Sequence, residues 1–378
     1  MPRSSLILIL AALLLFGLSF AIPQVSVIQN PHPAASSTPT ALATTTAAAS
    51  TTPITAIAST TAKTAAATTT AVKSKTRATT TPAEKAFEMP VPSTPAPDFN
   101  AINQTTREAV VNILCTTKGG ELSPISGTGI IISPSGLIVT NAHVGQYFLL
   151  EDFTQKNFLT CIARTGSPAY PRYTLELVYI SPQWVADNKT LLKEENPIGT
   201  GEHDFAFLRI TGMIDSSNLP QSFKYLSPTT REAVFPLEPA LLASYPAGFL
   251  GGLSVLQDLS LTSAIAHVSE AFTFGSSTTD LISVPGTVVS QKGSSGGAVV
   301  DSSTQLLGII VTSSSGATTA ERDLRAITFG YISRELQEST HMTLEAFMSQ
   351  DITSFAKNFQ ANEVPLLSSL IETELLKN

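Results

Sequence analysis

From Thr106 onward the apolar positions fall in short runs broken by Gly, Pro and Ser. Val110–Cys115, Gly129–Ser133, Leu137–Thr140, Phe158–Ala163, Leu175–Ile180 and Phe205–Ile210 form a first set. Glu232–Phe235, Ala240–Ser244, Leu256–Ala266, Leu281–Val284, Leu306–Thr312 and Ala326–Ile332 form a second. Many short β-like runs at regular spacing, separated by turn residues, predict an all-β barrel or sandwich. Two sets of equal size predict two barrels, over residues 99–336. The period then changes. Leu344, Phe347, Met348, Ile352, Phe355 and Phe359 keep helical spacing, Pro365 interrupts, and Leu367, Leu370, Ile371 and Leu375 make a second stripe. These predict a helical tail over 337–378, packed on the last barrel; docking to a partner or a membrane is the alternative. At the other end, Ser36 to Thr81 is almost wholly Thr, Ala and Ser. Such a segment cannot bury enough apolar surface to offset its ordering entropy. Residues 22–98 therefore read as a disordered stalk with an r.m.s. span of roughly 50 Å.

Composition supports this division. The 378 residues are 43% hydrophobic and only 13% charged, enough for a sizeable core. The net charge of −7 is uneven: residues 1–98 carry +3, leaving −10 for the rest. An acidic globular part argues against nucleic acid as partner. The first residues pair Arg3 with an apolar run, Leu6–Phe20, and small residues at Ser19 and Ala21, the pattern of an export signal over 1–21. Ser4–Ile22 is also uncharged for long enough to span a bilayer, so an uncleaved anchor is the second reading. Both put the remainder outside the cytoplasm, secreted or anchored at the cell envelope. Two cysteines, Cys115 and Cys161, are too few for a zinc site without a histidine cluster. In an exported chain they can pair; two separate buried thiols are the other reading.

Candidate chemistry begins at Gly293-Ser294-Ser295-Gly296-Gly297. Glycines around a serine let the backbone turn tightly and leave N–H groups to meet a developing oxyanion. Plain loops share that composition. A serine hydroxyl needs a base, and the base an orienting carboxylate. Of five histidines, His143 ends the β-rich run Leu137-Ile-Val-Thr-Asn-Ala-His. His32 lies in the stalk, His203 and His267 lack such a context, and His341 is in the tail. Asp204 stands at the mouth of the apolar strand Phe205–Ile210, where a carboxylate can be buried against an imidazole. Asp152, Asp187 and Asp215 sit in polar, loop-like surroundings.

The order His143, Asp204, Ser295 resembles that of the trypsin-like serine proteases. SGTGIIISPSGLIVTNAHV, HDFAFLRI and KGSSGGAVV followed by LLGII resemble most the motifs of the bacterial HtrA branch, and the resemblance extends over about Ala109 to Ile332. It implies two six-stranded antiparallel Greek-key barrels and peptide-bond hydrolysis through an acyl-enzyme, without metal or cofactor. His143 would be the base, Asp204 its orienter and Ser295 the nucleophile, with the N–H groups of Gly293 and Ser295 as oxyanion hole. Substrates would be proteins or peptides. Ser294 stands where zymogen-type members carry an aspartate, which argues against activation by a new N-terminus. HtrA chains continue into a PDZ domain; the residues after Ile332 are too few for one. Val289, six positions before the nucleophile, would floor the S1 pocket, with Ile310, Thr312, Ser313 and Thr328 near its walls. That set predicts small or aliphatic P1 residues. In the resembled barrel the first and fourth strands are neighbours, which favours a Cys115–Cys161 disulfide. The alternative to an enzyme is a catalytically silent trypsin-fold binding module tethered at the cell surface.

Overall fold

The computed structural model describes residues 96–119, 122–194, 199–248, 250–275, 277–313, 318 and 323–377. The expected signal or anchor, and the stalk up to residue 95, lie outside them. Among the described residues no helix is long and apolar enough to cross a membrane.

A helix, α1 (Phe99–Ala109), is capped by Asp98, whose carboxylate accepts from the N–H groups of Asn100 and Ala101. It runs directly into the first barrel. Strands β1 (Val110–Thr117), β2 (Ile125–Ile131), β3 (Leu137–Thr140), β4 (Leu159–Thr165), β5 (Tyr170–Ile180) and β6 (Ala206–Met213) close in the order β1-β2-β3-β6-β5-β4, with β4 returning to β1. Every pairing is antiparallel. All six runs of the first set are therefore strands. Cys115 and Cys161 oppose each other directly across β1 and β4 and are joined by a disulfide.

The second sheet holds β7 (Pro239–Ser244), β8 (Thr262–His267), β9 (Glu270–Phe272), β10 (Leu281–Val284), β11 (Ala298–Val300), β12 (Leu306–Ser313) and β13 (Leu324–Thr328), in the order β8-β7-β11-β12-β13-β10-β9. It begins and ends on almost the same stretch of chain. Only Val268 and Ser269 separate β8 from β9; the first donates to Glu238 beside β7, the second to Ser283 on β10. One strand bent at these two residues thus curls the seven-stranded sheet on itself. Its interior is a small apolar core that includes Val234, Leu242, Ile282, Val299 and Ile310.

Several runs of the second set resolve differently. Glu232–Phe235 is irregular. The stretch from Leu256 begins inside a helix, α4 (Gly252–Gln257), before β8. Ala326–Ile332 leaves the sheet at Thr328, whose hydroxyl accepts the Tyr331 N–H and caps α5 (Phe329–Thr340). Ala298–Val300, hidden after the Gly/Ser run, is a central strand.

The helical tail forms as α6 (Leu344–Ser349), α7 (Ile352–Asn362) and α8 (Val364–Leu375). It packs on the first barrel, not on the last as the sequence order suggested. Phe347 lies 4.9 Å from Phe207, and Phe359 lies 5.4 Å from Tyr179, between ring centroids. The aromatic residues of β5 and β6 supply an outer apolar face that the tail covers, and Gln360 donates to the Leu177 carbonyl on β5.

Candidate active site

His143 sits in a single helical turn, α2 (Ala142–Gly145), immediately after β3. Its backbone N–H donates to one Asp204 oxygen at 2.9 Å, and its Nδ1 is 2.8 Å from the other. Asp204 is 4% exposed and precedes β6, the strand paired with β3. Asn141 donates its amide to the Asp204 carbonyl at 3.0 Å. Burial disfavours the charged imidazolium of His143, but the Asp204 charge and hydrogen bond overcome it and raise the pKa above the ordinary histidine value.

Ser295 arrives from the other sheet, in the turn before β11. Thr128 on β2 is the joint. Its N–H donates to the Ser295 carbonyl at 2.8 Å, its hydroxyl to the Gly293 carbonyl at 2.8 Å, and its own carbonyl accepts the Thr140 hydroxyl at 2.7 Å. Thr140 ends β3, three residues before His143. At Gly296 the approach is so close that a Cβ would lie 2.0 Å from the Thr128 carbonyl oxygen and 2.6 Å from Thr140 Oγ1, and φ is +80°. Only glycine fits there. These contacts seat the Ser295 turn against the end of β3 that carries His143. The Ser295 side chain makes no hydrogen bond among the described residues, to His143 or to any other group; such bonds are commonly loose before substrate arrives.

The backbone of the turn alternates. Ser294 donates to Gln291, Gly296 to Ile310 and Gly297 to Ser294. Among the described residues the N–H groups of Gly293 and Ser295 have no acceptor. Gly293 holds φ +93°, where a Cβ would meet the Tyr245 carbonyl oxygen at 2.7 Å. Ser294 is buried; its hydroxyl donates to the Val289 carbonyl and accepts from Ser244.

Three of the five residues expected to line a specificity pocket are buried. Val289 is fully buried in the second core and Ile310 is 2% exposed there. Thr328 is fully buried, donating to the Thr279 carbonyl while it caps α5. Thr312 and Ser313 end β12. A cavity of about 550 Å³ lies elsewhere, between Pro134, Tyr225, Pro228, Leu344 and Met348. No group of three or more His, Cys, Asp or Glu among the described residues could hold a metal ion. Sequence reasoning missed Thr128 and Asn141: an isolated Thr or Asn in a strand-turn pattern carries no signal before the two sheets meet.

The closed barrel, the curled second sheet and the helices after it make a trypsin-like fold. Residues 127–309, which hold His143, Asp204 and Ser295, match the model of the trypsin-like peptidase domain. Among solved structures similar to this chain is the active form of the Rv3671c protease from M. tuberculosis, 20% identical, with 67% of this chain and 92% of that chain covered at a TM-score of 0.39. No curated protein matches the sequence.

Proposed function

We propose that this chain is a serine endopeptidase of HtrA-like character, acting outside the cytoplasm. His143 takes the Ser295 hydroxyl proton as the oxygen attacks the scissile carbonyl carbon. The carbonyl oxygen becomes an oxyanion and is met by the Gly293 and Ser295 N–H groups. Asp204 keeps the imidazole in the tautomer that presents Nε2 and stabilises its charged form. His143 then protonates the leaving amine, and water releases the acyl group by the same steps in reverse roles. The observation that carries this reading is the buried Asp204 carboxylate 2.8 Å from His143 Nδ1, within a domain that matches the trypsin-like peptidases. Fluorophosphonate labelling of the full chain tests it: the wild type is expected to label and Ser295→Ala not. Equal labelling of both would remove Ser295 as nucleophile; labelling of neither would favour a silent binding module.

Small or aliphatic P1 residues are the proposed preference. Val289 and Ile310 are apolar and sealed in the core, so they offer no carboxylate to a basic side chain and no deep floor. A peptide-library profile with Arg or Lys at P1 would contradict this.

A further inference from the structure

One peptide unit decides whether the oxyanion hole exists. The Gly293 N–H belongs to the Lys292–Gly293 peptide, whose carbonyl accepts the Ala247 N–H at 2.7 Å. In a trans peptide the N–H and C=O point opposite ways. Anchoring the Lys292 oxygen on Ala247 therefore turns the Gly293 N–H away from Ala247, where it has no protein acceptor among the described residues. Whatever holds Ala247 holds the hole.

Ala247 lies between β7 and α4, and the first barrel holds the chain before it, at Tyr245, and beyond it, at the C-terminal end of α4. At the start, the Tyr245 N–H donates to Thr128 Oγ1 at 3.0 Å and its hydroxyl to the Gly166 carbonyl at 2.9 Å. At the far end of α4 stands Arg164, on β4 and 1% exposed. Its Nη1 donates to the Val255 and Leu256 carbonyls of α4 at 2.9 and 3.1 Å. Its Nε donates to Asn112 Oδ1 at 2.7 Å, and Asn112 in turn donates to Ser126 Oγ and the Gly127 carbonyl, next to Thr128. No carboxylate pairs with Arg164 among the described residues, and its Nη2 is buried without a partner. A buried cation without a counter-charge is costly, and an apolar side chain of similar size would pack there at lower cost. What the guanidinium does, and an apolar group cannot, is tie the end of α4 to the strand beside Thr128.

We propose that Arg164 is a positioning residue for the oxyanion hole, acting through α4 and Ala247 on the Lys292–Gly293 peptide. It touches neither substrate nor the triad. The inference rests on the protease reading above. It separates the two halves of the site: His143 and Asp204 are held by β3 and β6, to which Arg164 makes no hydrogen bond among the described residues, so losing Arg164 should spare the base and impair the hole.

The test uses the full chain, a peptide anilide with alanine at P1, and a peptide aldehyde of the same sequence, whose adduct carries an oxyanion. Arg164→Met is expected to lower kcat by up to about 10²–10³-fold, the loss typical of one oxyanion donor. KM should change little, aldehyde affinity should fall in parallel with kcat, and the acid limb of the pH profile should stay in place. Arg164→Lys, which can reach the α4 carbonyls but not Asn112 as well, is expected to recover part of the loss. Wild-type kcat and aldehyde affinity in a folded Arg164→Met variant would overturn the proposal. So would a kcat loss accompanied by a shifted acid limb, because the damage would then extend to His143. If Arg164→Met does not fold, Ala247→Pro removes the donor to Lys292 without disturbing the buried charge; undiminished kcat there overturns the proposal, and a loss confined to kcat and aldehyde affinity supports it. A wild type that neither cleaves nor labels would overturn the protease reading, and this inference with it.

Discussion

Asp204 sets the direction in which the His143 pKa moves. Burial alone would lower the imidazole pKa, and the carboxylate more than offsets it. A general base works only when neutral, so kcat/KM should rise with pH through a midpoint above the ordinary histidine value. In Asp204→Asn the burial remains and the charge is gone; the midpoint should move to lower pH while kcat falls by roughly 10⁴-fold. A pH–rate profile of both forms checks the sign. An unmoved midpoint in the variant would show that Asp204 is not what raises the pKa. Gly296 sets a steric limit at the same scale. Gly296→Ala puts a methyl group against the Thr128 carbonyl and into left-handed backbone. A cost of about 3 kcal/mol is expected, with loss of fluorophosphonate labelling; denaturant titration measures it.

At the scale of elements, the departures from the sequence reading concern where strands stop. Ile327-Thr328-Phe329 reads as one β-like run. Thr328 ends it: its hydroxyl accepts the Tyr331 N–H and caps the helix into which the chain turns. The same residue was expected beside the substrate pocket. Thr328→Ala is therefore expected to cost about 1 kcal/mol in thermal denaturation and to leave the P1 profile unchanged. A changed profile at unchanged stability would place Thr328 at the pocket wall. The tail helices were legible from their apolar spacing, yet their docking face was not. Tyr179, Phe205 and Phe207 read as strand residues of an ordinary core. That Tyr179 and Phe207 receive Phe347 and Phe359 follows from barrel closure, which turns an alternate face of β5 and β6 outward.

For the molecule as a whole, stability is shared between the closure of the first barrel and its helical cover. The Cys115–Cys161 disulfide bridges 46 positions of sequence, joining the strands that close the barrel. On the loop-entropy model its removal should cost about 4 kcal/mol. Denaturation of Cys115→Ala/Cys161→Ala beside the wild type gives the value. Deleting residues 343–378 removes Phe347, Phe359, Leu367 and Ile371, all buried. At roughly 2 kcal/mol for each side chain withdrawn from water, the loss rivals the stability of a typical domain. The truncated chain should lose cooperative unfolding as followed by near-UV circular dichroism.

Periodicity, turn residues and three short motifs determined the fold class, both sets of strands in outline, and the identity of His143, Asp204 and Ser295 as candidates. Those are local properties: alternation marks a strand, and a nucleophile, a base and a carboxylate each need a recognisable neighbourhood. Only the tertiary structure decided what joins them. Thr128 links the Ser295 turn to β3 across 165 positions to Gly293. Arg164 reaches α4 across 91. Val289 packs in the second core beside Ile310. Contacts of that separation depend on how the two sheets close and meet, and a single residue's type carries no trace of the partner that folding brings to it.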